Sequence, residues 1–242
     1  MTAPWLERTE LLLGSEGLAA LQGAHVLVVG LGGVGAYAAE MLARGGVGQL
    51  TLVDSDTVAE SNINRQLIAL HSTVGRPKTS VLAERLRDIN PAIQLTIVSD
   101  YIQEDTLEAL LDAAPYSFVV DAIDTLSPKL FLVCESLRRG LPLVSSMSAG
   151  GKTDPTLVQV ADISKSHSCP LAKKMRIRLH RRGIFKGFPV VFSPEPIRPD
   201  AVVLESGLNK ISTVGTISYM PAVFGCTCAS VVIRALVRNA PS

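Results

Sequence analysis

Four glycines fall within the six residues Gly30–Gly35 (GLGGVG), directly after an apolar run. Glycines at such a point let backbone N–H groups and a helix N-terminus approach a phosphate without side chains in the way. Alone, the run is also typical of tight packing between a strand and a helix. Asp54 follows nineteen residues after Gly35, where dinucleotide folds place the carboxylate that binds ribose hydroxyls. The glycine run and Asp54 together predict a nucleotide site.

A polar, cationic stretch follows Asp54. The run Ser61–Gln66 (SNINRQ) supplies amide and guanidinium donors, and Val74–Lys78 (VGRPK) places a lysine thirteen residues after Arg65. A protein that binds NAD has no need of such charge, whereas phosphoryl or adenylyl transfer needs cations beside the developing pyrophosphate. The alternative is an ordinary polar surface loop. We interpret the stretch as favouring ATP over NAD.

Two carboxylates follow another apolar run, in Val119–Asp124 (VVDAID). Ligands of open parallel sheets bind beyond the carboxyl ends of the strands, so one of these carboxylates is a candidate to hold magnesium on nucleotide phosphates. We assign that role to Asp124, because it lies further beyond the predicted strand. Asp121 is placed to cap the local backbone instead.

The elements that must position these residues alternate between strand and helix patterns. Apolar, β-branched runs predict strands at residues 25–30, 50–53, 95–98, 118–120 and 141–144. Helical spacing between them predicts helices at residues 34–43, 78–89, 104–113 and 128–139. This alternation predicts a doubly wound, mostly parallel α/β sheet. We expect residues 1–150 to form the nucleotide-binding core.

After about residue 150 the pattern changes. Residues 151–242 hold a strand-like run at 157–160, a basic segment, a proline-rich stretch and a helix over 222–237. A chain of 242 residues fits one large core better than two. We therefore expect this region to be a substrate-binding extension of the same domain.

The overall composition gives no general attraction to nucleic acid or membrane, because the net charge is +1. The N-terminus does not resemble a secretory signal, and the apolar stretch Met220–Ile233 is shorter than the roughly 20 residues of a spanning helix. We expect a cytoplasmic protein without a membrane partner, in which that stretch is a buried helix. The four cysteines contain no C-x-x-C pair, so we expect buried free thiols and no structural zinc.

Cations cluster between Lys173 and Lys186. Such a cluster can bind RNA phosphates by releasing counterions. The candidate RNA-binding residues are Lys173, Lys174, Arg176, Arg178, Arg181 and Arg182. The alternative is an amphipathic helix with a solvated basic face, since Leu171, Met175 and Leu179 recur at helical spacing.

Taken in order, GLGGVG, Asp54, SNINRQ, VGRPK and DAID resemble the ATP site of the adenylating half of ubiquitin-activating enzymes and their bacterial relatives in molybdopterin and thiamine synthesis. The resemblance covers roughly residues 1–150 and implies a Rossmann-like adenylating fold. It implies an ATP site made of Gly30, Gly32, Gly33, Asp54, Asn62, Arg65, Gln66, Lys78 and Asp124, with magnesium on Asp124. It also implies catalytic roles for Arg65, Lys78, Asp124 and Arg8, the last reaching the γ-phosphate from the partner subunit of a homodimer.

Other segments are similar to bacterial tRNA threonylcarbamoyladenosine dehydratases, namely residues 89–91 (INP), 149–155 (AGGKTDP) and 222–225. This resemblance implies that ATP adenylates the side-chain carboxylate of a modified adenosine in tRNA. Ring closure by a nitrogen of the same side chain would then release AMP. The sequence departs from the family at Lys210–Thr213, where a cysteine is expected before the final helix.

Two other functions stay open. An activator of a ubiquitin-like sulfur-carrier protein would adenylate a diglycine C-terminus, but such enzymes usually add paired C-x-x-C zinc ligands or a catalytic-cysteine domain. A non-catalytic nucleotide-binding protein is disfavoured, because Arg65, Lys78 and Asp124 are all present. The resemblance also leaves open an association with a cysteine desulfurase and its sulfur acceptor.

Overall fold

The computed structural model describes residues 2–204 and 212–238. Most of its strands belong to one seven-stranded sheet, with the bounds β1 His25–Val29, β2 Gln49–Val53, β3 Gln94–Val98, β4 Phe118–Asp121, β5 Leu143–Ser146, β6 Gln159–Asp162 and β7 Pro189–Phe192. Their spatial order is β3-β2-β1-β4-β5-β7-β6, and only β6 is antiparallel to its neighbour. A separate hairpin pairs β8 (Val202–Leu204) with β9 (Ser212–Val214).

Helices cover both faces of the sheet. Their bounds are α1 Glu7–Gly23, α2 Gly35–Gly45, α3 Lys78–Ile89, α4 Glu104–Asp112, α5 Leu126–Arg138, α6 Pro170–His180 and α7 Tyr219–Arg238. One hydrophobic cluster joins α1, α2, α3 and α7 to one face. A second cluster joins α4, α5 and α6 to the other face. The predicted doubly wound α/β fold is confirmed.

The burial of strand β1 explains why its sequence is apolar from Val26 to Val29. Val26 and Val28 belong to the cluster beneath α2 and α7, whereas Leu27 and Val29 belong to the cluster beneath α4 and α5. Successive side chains of a strand point to opposite faces, and here both faces are covered. The continuous apolar run therefore predicts the strand correctly.

The strand order places a crevice between β1 and β4. The sheet continues from β1 to β2 and β3 on one side, and from β4 to β5, β7 and β6 on the other. In register, Val29 pairs with both Val53 and Asp121, so these three strands end at the same level. A crevice at such a reversal of strand order is where open α/β sheets bind ligands.

Strand β5 begins two residues later than the predicted range 141–144. The N–H group of Leu141 donates to the Ser136 carbonyl at 2.9 Å and so closes the end of α5. Gly140, with φ of +68°, turns the chain between the helix and the strand. Leu141 therefore belongs to the helix terminus rather than to the sheet.

The region after residue 150 extends the same sheet. Strand β6 starts at Gln159, two residues later than the strand predicted at 157–160, and β7 lies inside the proline-rich stretch, where no strand was predicted. Pro189 is tolerated because it is the first residue of β7. Lys210 and Ile211, part of the segment that departs from the resembling family, lie outside the described residues.

Helix α7 is the buried helix predicted for Met220–Ile233, although it is longer at both ends. By length and composition alone it could cross a membrane. It instead packs against α1, α2 and β5, with Met220, Phe224, Cys228 and Val232 fully buried. Such packing is typical of a core helix in a globular domain.

A buried carboxylate links α2 to α3. Glu40 is only 4% exposed and forms ion pairs with Arg44 on its own helix and with Arg85 on α3. Burial alone would raise the pKa of the Glu40 carboxyl, but the hydrogen bonds and charges of Arg85 and Arg44 outweigh it and lower that pKa. The ionised form of Glu40 therefore stabilises the fold.

Candidate active site

The glycine-rich turn between β1 and α2 is close-packed. Gly30 has φ of +88°, and a Cβ atom there would lie 2.8 Å from the Ala122 carbonyl oxygen. A Cβ atom on Gly35 would lie 1.7 Å from the Gly30 carbonyl oxygen. Both glycines are therefore required by the turn itself, whether or not a ligand is bound.

The two central glycines of the turn differ from each other. A Cβ atom on Gly33 would lie 2.8 Å from Cβ of Pro221 and 3.1 Å from the Arg65 carbonyl oxygen. At Gly32 the nearest atom would be the Gln66 Nε2 atom, at 3.7 Å. Gly32 is thus the position that leaves space for a ligand, while Gly33 lets the loop of Arg65 and helix α7 approach.

Gln66 lies beside that space. It is 9% exposed, and within the part of the chain that the structure describes its Oε1 atom has no hydrogen-bond partner. A buried acceptor without a partner is costly. A ligand with a suitable donor would remove that cost, which makes Gln66 a candidate ligand contact.

Asp54, at the end of β2, holds the glycine-rich turn in place. Its Oδ2 atom accepts a hydrogen bond from the Leu31 N–H at 2.6 Å, and its Oδ1 atom accepts one from the Asp56 N–H at 2.8 Å. Burial raises the pKa of the Asp54 carboxyl, and the charge of Lys78, 4.0 Å away, opposes that shift. The residue predicted to bind ribose therefore also ties β2 to the turn.

Lys78 is the first residue of α3, as predicted, and lies beside the same crevice. It is 5% exposed, and its Nζ atom lies 2.7 Å from Oδ2 of the exposed Asp56. The two residues are also joined through their main chains, since the Lys78 N–H donates to the Asp56 carbonyl at 3.0 Å. The lysine is therefore held by β2 and by the loop after it.

The loop of Asn62 and Arg65 forms another wall. Asn62 Oδ1 accepts a local backbone N–H at 3.1 Å and caps a short 3₁₀ turn. Arg65 Nη1 donates to the Ser61 carbonyl at 2.8 Å and to Asn64 Oδ1 at 2.9 Å. Asn64 in turn donates to the Thr216 carbonyl at 3.0 Å, which joins this loop to the region after residue 150.

Asp121 and Asp124 have different surroundings. Asp124 is exposed, in the segment between β4 and α5. Asp121 is fully buried, and its Oδ1 atom accepts the Ile123 N–H at 3.1 Å, so the predicted backbone cap is confirmed. Its Oδ2 atom lies 2.9 Å from Nζ of the buried Lys129, a residue that sequence reasoning missed. The only signal in the sequence was a lysine directly before the apolar run LFLVC.

Arg8 is not brought to the other predicted site residues of its own chain. It is exposed in the first turn of α1, and Leu6, two residues earlier, packs against Gly46 at the C-terminal end of α2. The glycine-rich turn lies at the opposite end of α2, a helix of 11 residues and therefore about 16 Å long.

The sequence matches the ThiF family model over residues 6–242. The chain belongs to the ThiF family. It is 49% identical over 188 residues to the tRNA threonylcarbamoyladenosine dehydratase of Bacillus subtilis, which covers 78% of this chain and 74% of that protein. Crystal structures of the Escherichia coli tRNA N6-threonylcarbamoyladenosine dehydratase in complex with ATP and with AMP superpose with TM-scores of 0.87 and 0.88. Each is 37% identical and covers 99% of this chain and 97% of that chain.

The resemblance to adenylating enzymes inferred from the ordered motifs is thus confirmed. In this ThiF-family chain the motifs converge on one crevice, because Asp54 holds the glycine-rich turn and Lys78 lies within 4.0 Å of Asp54. Gln66 lies beside Gly32. Arg8, by contrast, lies away from the glycine-rich turn of its own chain.

Helix α6 of this ThiF-family chain is amphipathic. Ala172, Met175 and Leu179 are buried, and Leu171 is half-buried. Arg176 is half-buried and donates to the Ser166 hydroxyl. The other candidate RNA-binding cations are exposed, namely Lys173, Lys174, Arg178, Arg181 and Arg182.

The cysteines only partly follow the expectation of buried thiols. Cys169 and Cys228 are buried and Cys134 is half-buried, but Cys226 is exposed. Residues two apart on a helix point about 200° apart, so Cys226 faces outward where Cys228 faces the core. Within residues 2–204 and 212–238, no three His, Cys, Asp or Glu side chains form a cluster that could hold a metal.

Proposed function

We propose that this protein is an ATP-dependent tRNA threonylcarbamoyladenosine dehydratase. The observation that carries the proposal is the structural match to the E. coli enzyme in complex with ATP, which covers 99% of this chain. The crevice at the reversal of strand order between β1 and β4 offers a place for the nucleotide. The match to the same enzyme with AMP supports an AMP-forming reaction. The sulfur-carrier alternative is less favoured, because the molybdopterin-synthase adenylyltransferase of Salmonella typhimurium, 43% identical, matches only 54% of this chain.

The proposed chemistry removes one water from the threonylcarbamoyl side chain. A carboxylate oxygen forms a bond to the α-phosphorus of ATP, the bond to the bridging oxygen breaks, and pyrophosphate leaves. A nitrogen of the same side chain then attacks the acyl carbon, loses its proton and displaces AMP. Both nucleophiles belong to the substrate, so the reaction requires no enzyme thiol.

Within the proposed ATP site, Gly30, Gly32 and Gly33 would form the turn against the nucleotide, and Asp54 would accept hydrogen bonds from ribose. The space beside Gly32 and the unpaired acceptor of Gln66 support this placement.

Asn62, Arg65 and Lys78 would bind the phosphates, and the two cations would stabilise charge on the leaving pyrophosphate. The Nζ atom of Lys78 lies 4.0 Å from Asp54, and its present partner Asp56 is 68% exposed. An ion pair with so exposed a partner is weak and can be exchanged for a phosphate contact.

Asp124 is the residue proposed to hold magnesium. Asp124 is exposed and follows the carboxyl end of β4, and the Ala122 carbonyl just before it packs on Gly30 of the glycine-rich turn. A single carboxylate fits Mg²⁺ well, because this ion usually takes one or two carboxylates and completes its shell with phosphate oxygens and water. When bound, the ion would neutralise charge on the phosphates.

A homodimer would complete the site with Arg8 of the other subunit. Two observations support this: Arg8 lies far from the crevice of its own chain, and the nearby Leu11 and Leu12 are 86% and 83% exposed. Apolar side chains so exposed are typical of an interface.

Mixing an Arg8→Ala variant with an Asp124→Ala variant should restore part of the activity, since one site of the mixed dimer is then intact. No recovery despite demonstrated subunit exchange would exclude Arg8 acting across the interface.

The tRNA would bind the exposed cations of α6. Reversing Lys174, Arg178 and Arg181 to glutamate should weaken tRNA binding and reduce its dependence on salt, while ATP binding stays within about twofold. Replacing Arg176 is a poorer test, because its bond to Ser166 also supports the fold. Unchanged tRNA affinity in the triple variant would favour the alternative, in which the cations of α6 form only a solvated basic face.

This proposal divides the chain into an ATP-binding core, residues 1–150, and a substrate-binding extension, residues 151–242, within one domain. The continuation of the sheet into β6 and β7 supports a single domain. A tRNA substrate implies that the enzyme works in the cytoplasm.

The deciding experiment follows the fate of ATP and of the modified nucleoside. Purified protein, ATP, Mg²⁺ and threonylcarbamoyl-modified tRNA should yield AMP, pyrophosphate and a nucleoside lighter by one water. Unmodified tRNA of the same sequence is the matched control and should give none of these products. Release of ADP and phosphate instead would exclude adenylation.

A further inference from the structure

A buried ion pair joins β4 to α5 beside the crevice. The Nζ atom of Lys129 lies 2.9 Å from Oδ2 of Asp121, and both side chains are 0% exposed. Such a pair is expensive to bury unless further hydrogen bonds complete it. Here the Ser145 hydroxyl donates to Asp121 at 2.6 Å, and Lys129 donates to the Ile123 carbonyl at 2.8 Å.

The pair holds both main-chain polar groups of Ile123, the residue directly before Asp124. Asp121 accepts its N–H at 3.1 Å, and Lys129 donates to its carbonyl. The preceding residue is held as well, because the Ala122 N–H donates to the Val29 carbonyl at 2.9 Å. The backbone leading into Asp124 is therefore fixed to β1, β4 and α5.

We propose that Asp121 and Lys129 are positioning residues that set the backbone before Asp124 so that its carboxylate meets the metal on the ATP phosphates. The inference rests on the proposed role of Asp124 as the metal ligand. Stability alone would not require these residues, because two apolar side chains of similar volume would fill the same space without burying charge. Apolar side chains would leave the Ile123 carbonyl without the lysine donor.

The test compares metal binding with nucleotide binding. The double variant Asp121→Asn/Lys129→Met removes both charges together, so no unpaired charge stays buried. Mn²⁺ affinity is measured by electron paramagnetic resonance with a saturating non-hydrolysable ATP analogue. Affinity for the analogue without metal is measured by calorimetry. We expect Mn²⁺ affinity to fall about 10- to 100-fold, as for other groups that orient a metal ligand. Metal-free analogue affinity should change less than about threefold, since neither Asp54 nor any residue of the glycine-rich turn is substituted.

Glu40→Gln is the matched control, because it breaks another buried carboxylate pair on the opposite face of the sheet. It should lower stability and leave Mn²⁺ affinity unchanged. Equal loss of Mn²⁺ affinity in both variants would overturn the inference, because the effect would then be one of general stability. Lys129→Gln, whose shorter side chain keeps a donor for Asp121 but lacks the ammonium that donates to the Ile123 carbonyl, serves if the double variant does not fold. Unchanged Mn²⁺ affinity in whichever variant folds would also overturn it.

Asp124→Asn separates this inference from the proposed function. Loss of Mn²⁺ affinity in Asp124→Asn but not in the double variant would refute only the positioning role. Unchanged Mn²⁺ affinity in Asp124→Asn would refute the metal site itself, and with it the inference.

Discussion

Replacing Gly225 with alanine should both destabilise the protein and weaken ATP binding. Gly225 lies on α7, where a Cβ atom would lie 2.4 Å from the Val34 carbonyl oxygen and 2.7 Å from Cβ of Tyr37. Neither atom can rotate away, since one belongs to the main chain and the other is fixed to it. Ordinary contact begins near 3.4 Å, so α2 and α7 must move apart by about 1 Å. Val34 belongs to the GLGGVG motif, so the movement reaches the proposed ATP site.

The magnitude follows from two opposing effects. Overpacking of this kind costs about 1–3 kcal/mol, and the rigid backbone contact places Gly225→Ala at the upper end. The gain in helix propensity from glycine to alanine offsets about 1 kcal/mol of that cost. We expect a net loss of about 1–2 kcal/mol in the free energy of unfolding, measured by urea denaturation. ATP affinity, measured by calorimetry, should fall about tenfold if a similar free energy is lost in the turn.

Gly23→Ala is the matched control, because Gly23 also lies in a helix and a Cβ atom there would meet nothing within 4 Å. Only helix propensity then changes, so the variant should be as stable as the wild type or up to about 1 kcal/mol more stable. If Gly225→Ala matched Gly23→Ala in both stability and ATP affinity, the close approach of α2 and α7 would be wrong.

Three further outcomes are expected. Glu40→Gln should lower the free energy of unfolding by about 1 kcal/mol at pH 7, because its arginine partners are half-exposed. Folding lowers the pKa of the Glu40 carboxyl. Its contribution to stability is therefore fully present above the ordinary carboxyl pKa and is lost as pH falls through the lowered value. Urea denaturation of wild type and Glu40→Gln from pH 7 to 3 should show the difference between their free energies of unfolding shrinking. Cys226 should react with a thiol reagent well before Cys228, because Cys226 is exposed and burial raises the pKa of the Cys228 thiol to about 12. Peptide mass mapping that finds Cys228 labelled first would contradict its buried position. Arg65→Ala and Lys78→Ala should each lower turnover about 100-fold in the AMP-release assay, and a loss below about threefold in both would remove them from the phosphate site.

Strands β1 to β6 and most helices could be predicted because each depends on a local pattern. Strand β1 is apolar on both faces, and α3 begins at Lys78 as its sequence indicates. Strand β7 was hidden by prolines, since the proline-rich stretch reads as a loop unless the position of Pro189 at a strand start is known. Helix α1 was hidden as well, because Gly14, with φ of 75°, breaks its pattern in two.

The candidate site was predictable as a set of residue types but not as a geometry. Sequence motifs predicted Asp54 and Lys78 at the crevice, yet they could not show that Asp54 also holds the turn through Leu31. Lys129 was missed because its partner, Asp121, becomes adjacent only when α5 folds back on β4. The distance of Arg8 from its own crevice depends on long-range packing, which no local pattern reports.

The packing of α7 has a consequence for the timing of synthesis. Pro221 and Gly225 touch the GLGGVG motif, and α1 also packs on α7. About 200 residues separate that motif from the end of α7, which at roughly 5–20 residues per second corresponds to about 10–40 s of translation. A nascent chain therefore carries the complete glycine motif long before the motif can bind ATP. A ribosome-bound chain stalled before α7 emerges should not be retained on immobilised ATP. ATP binding by a nascent chain would therefore indicate that the whole domain has folded.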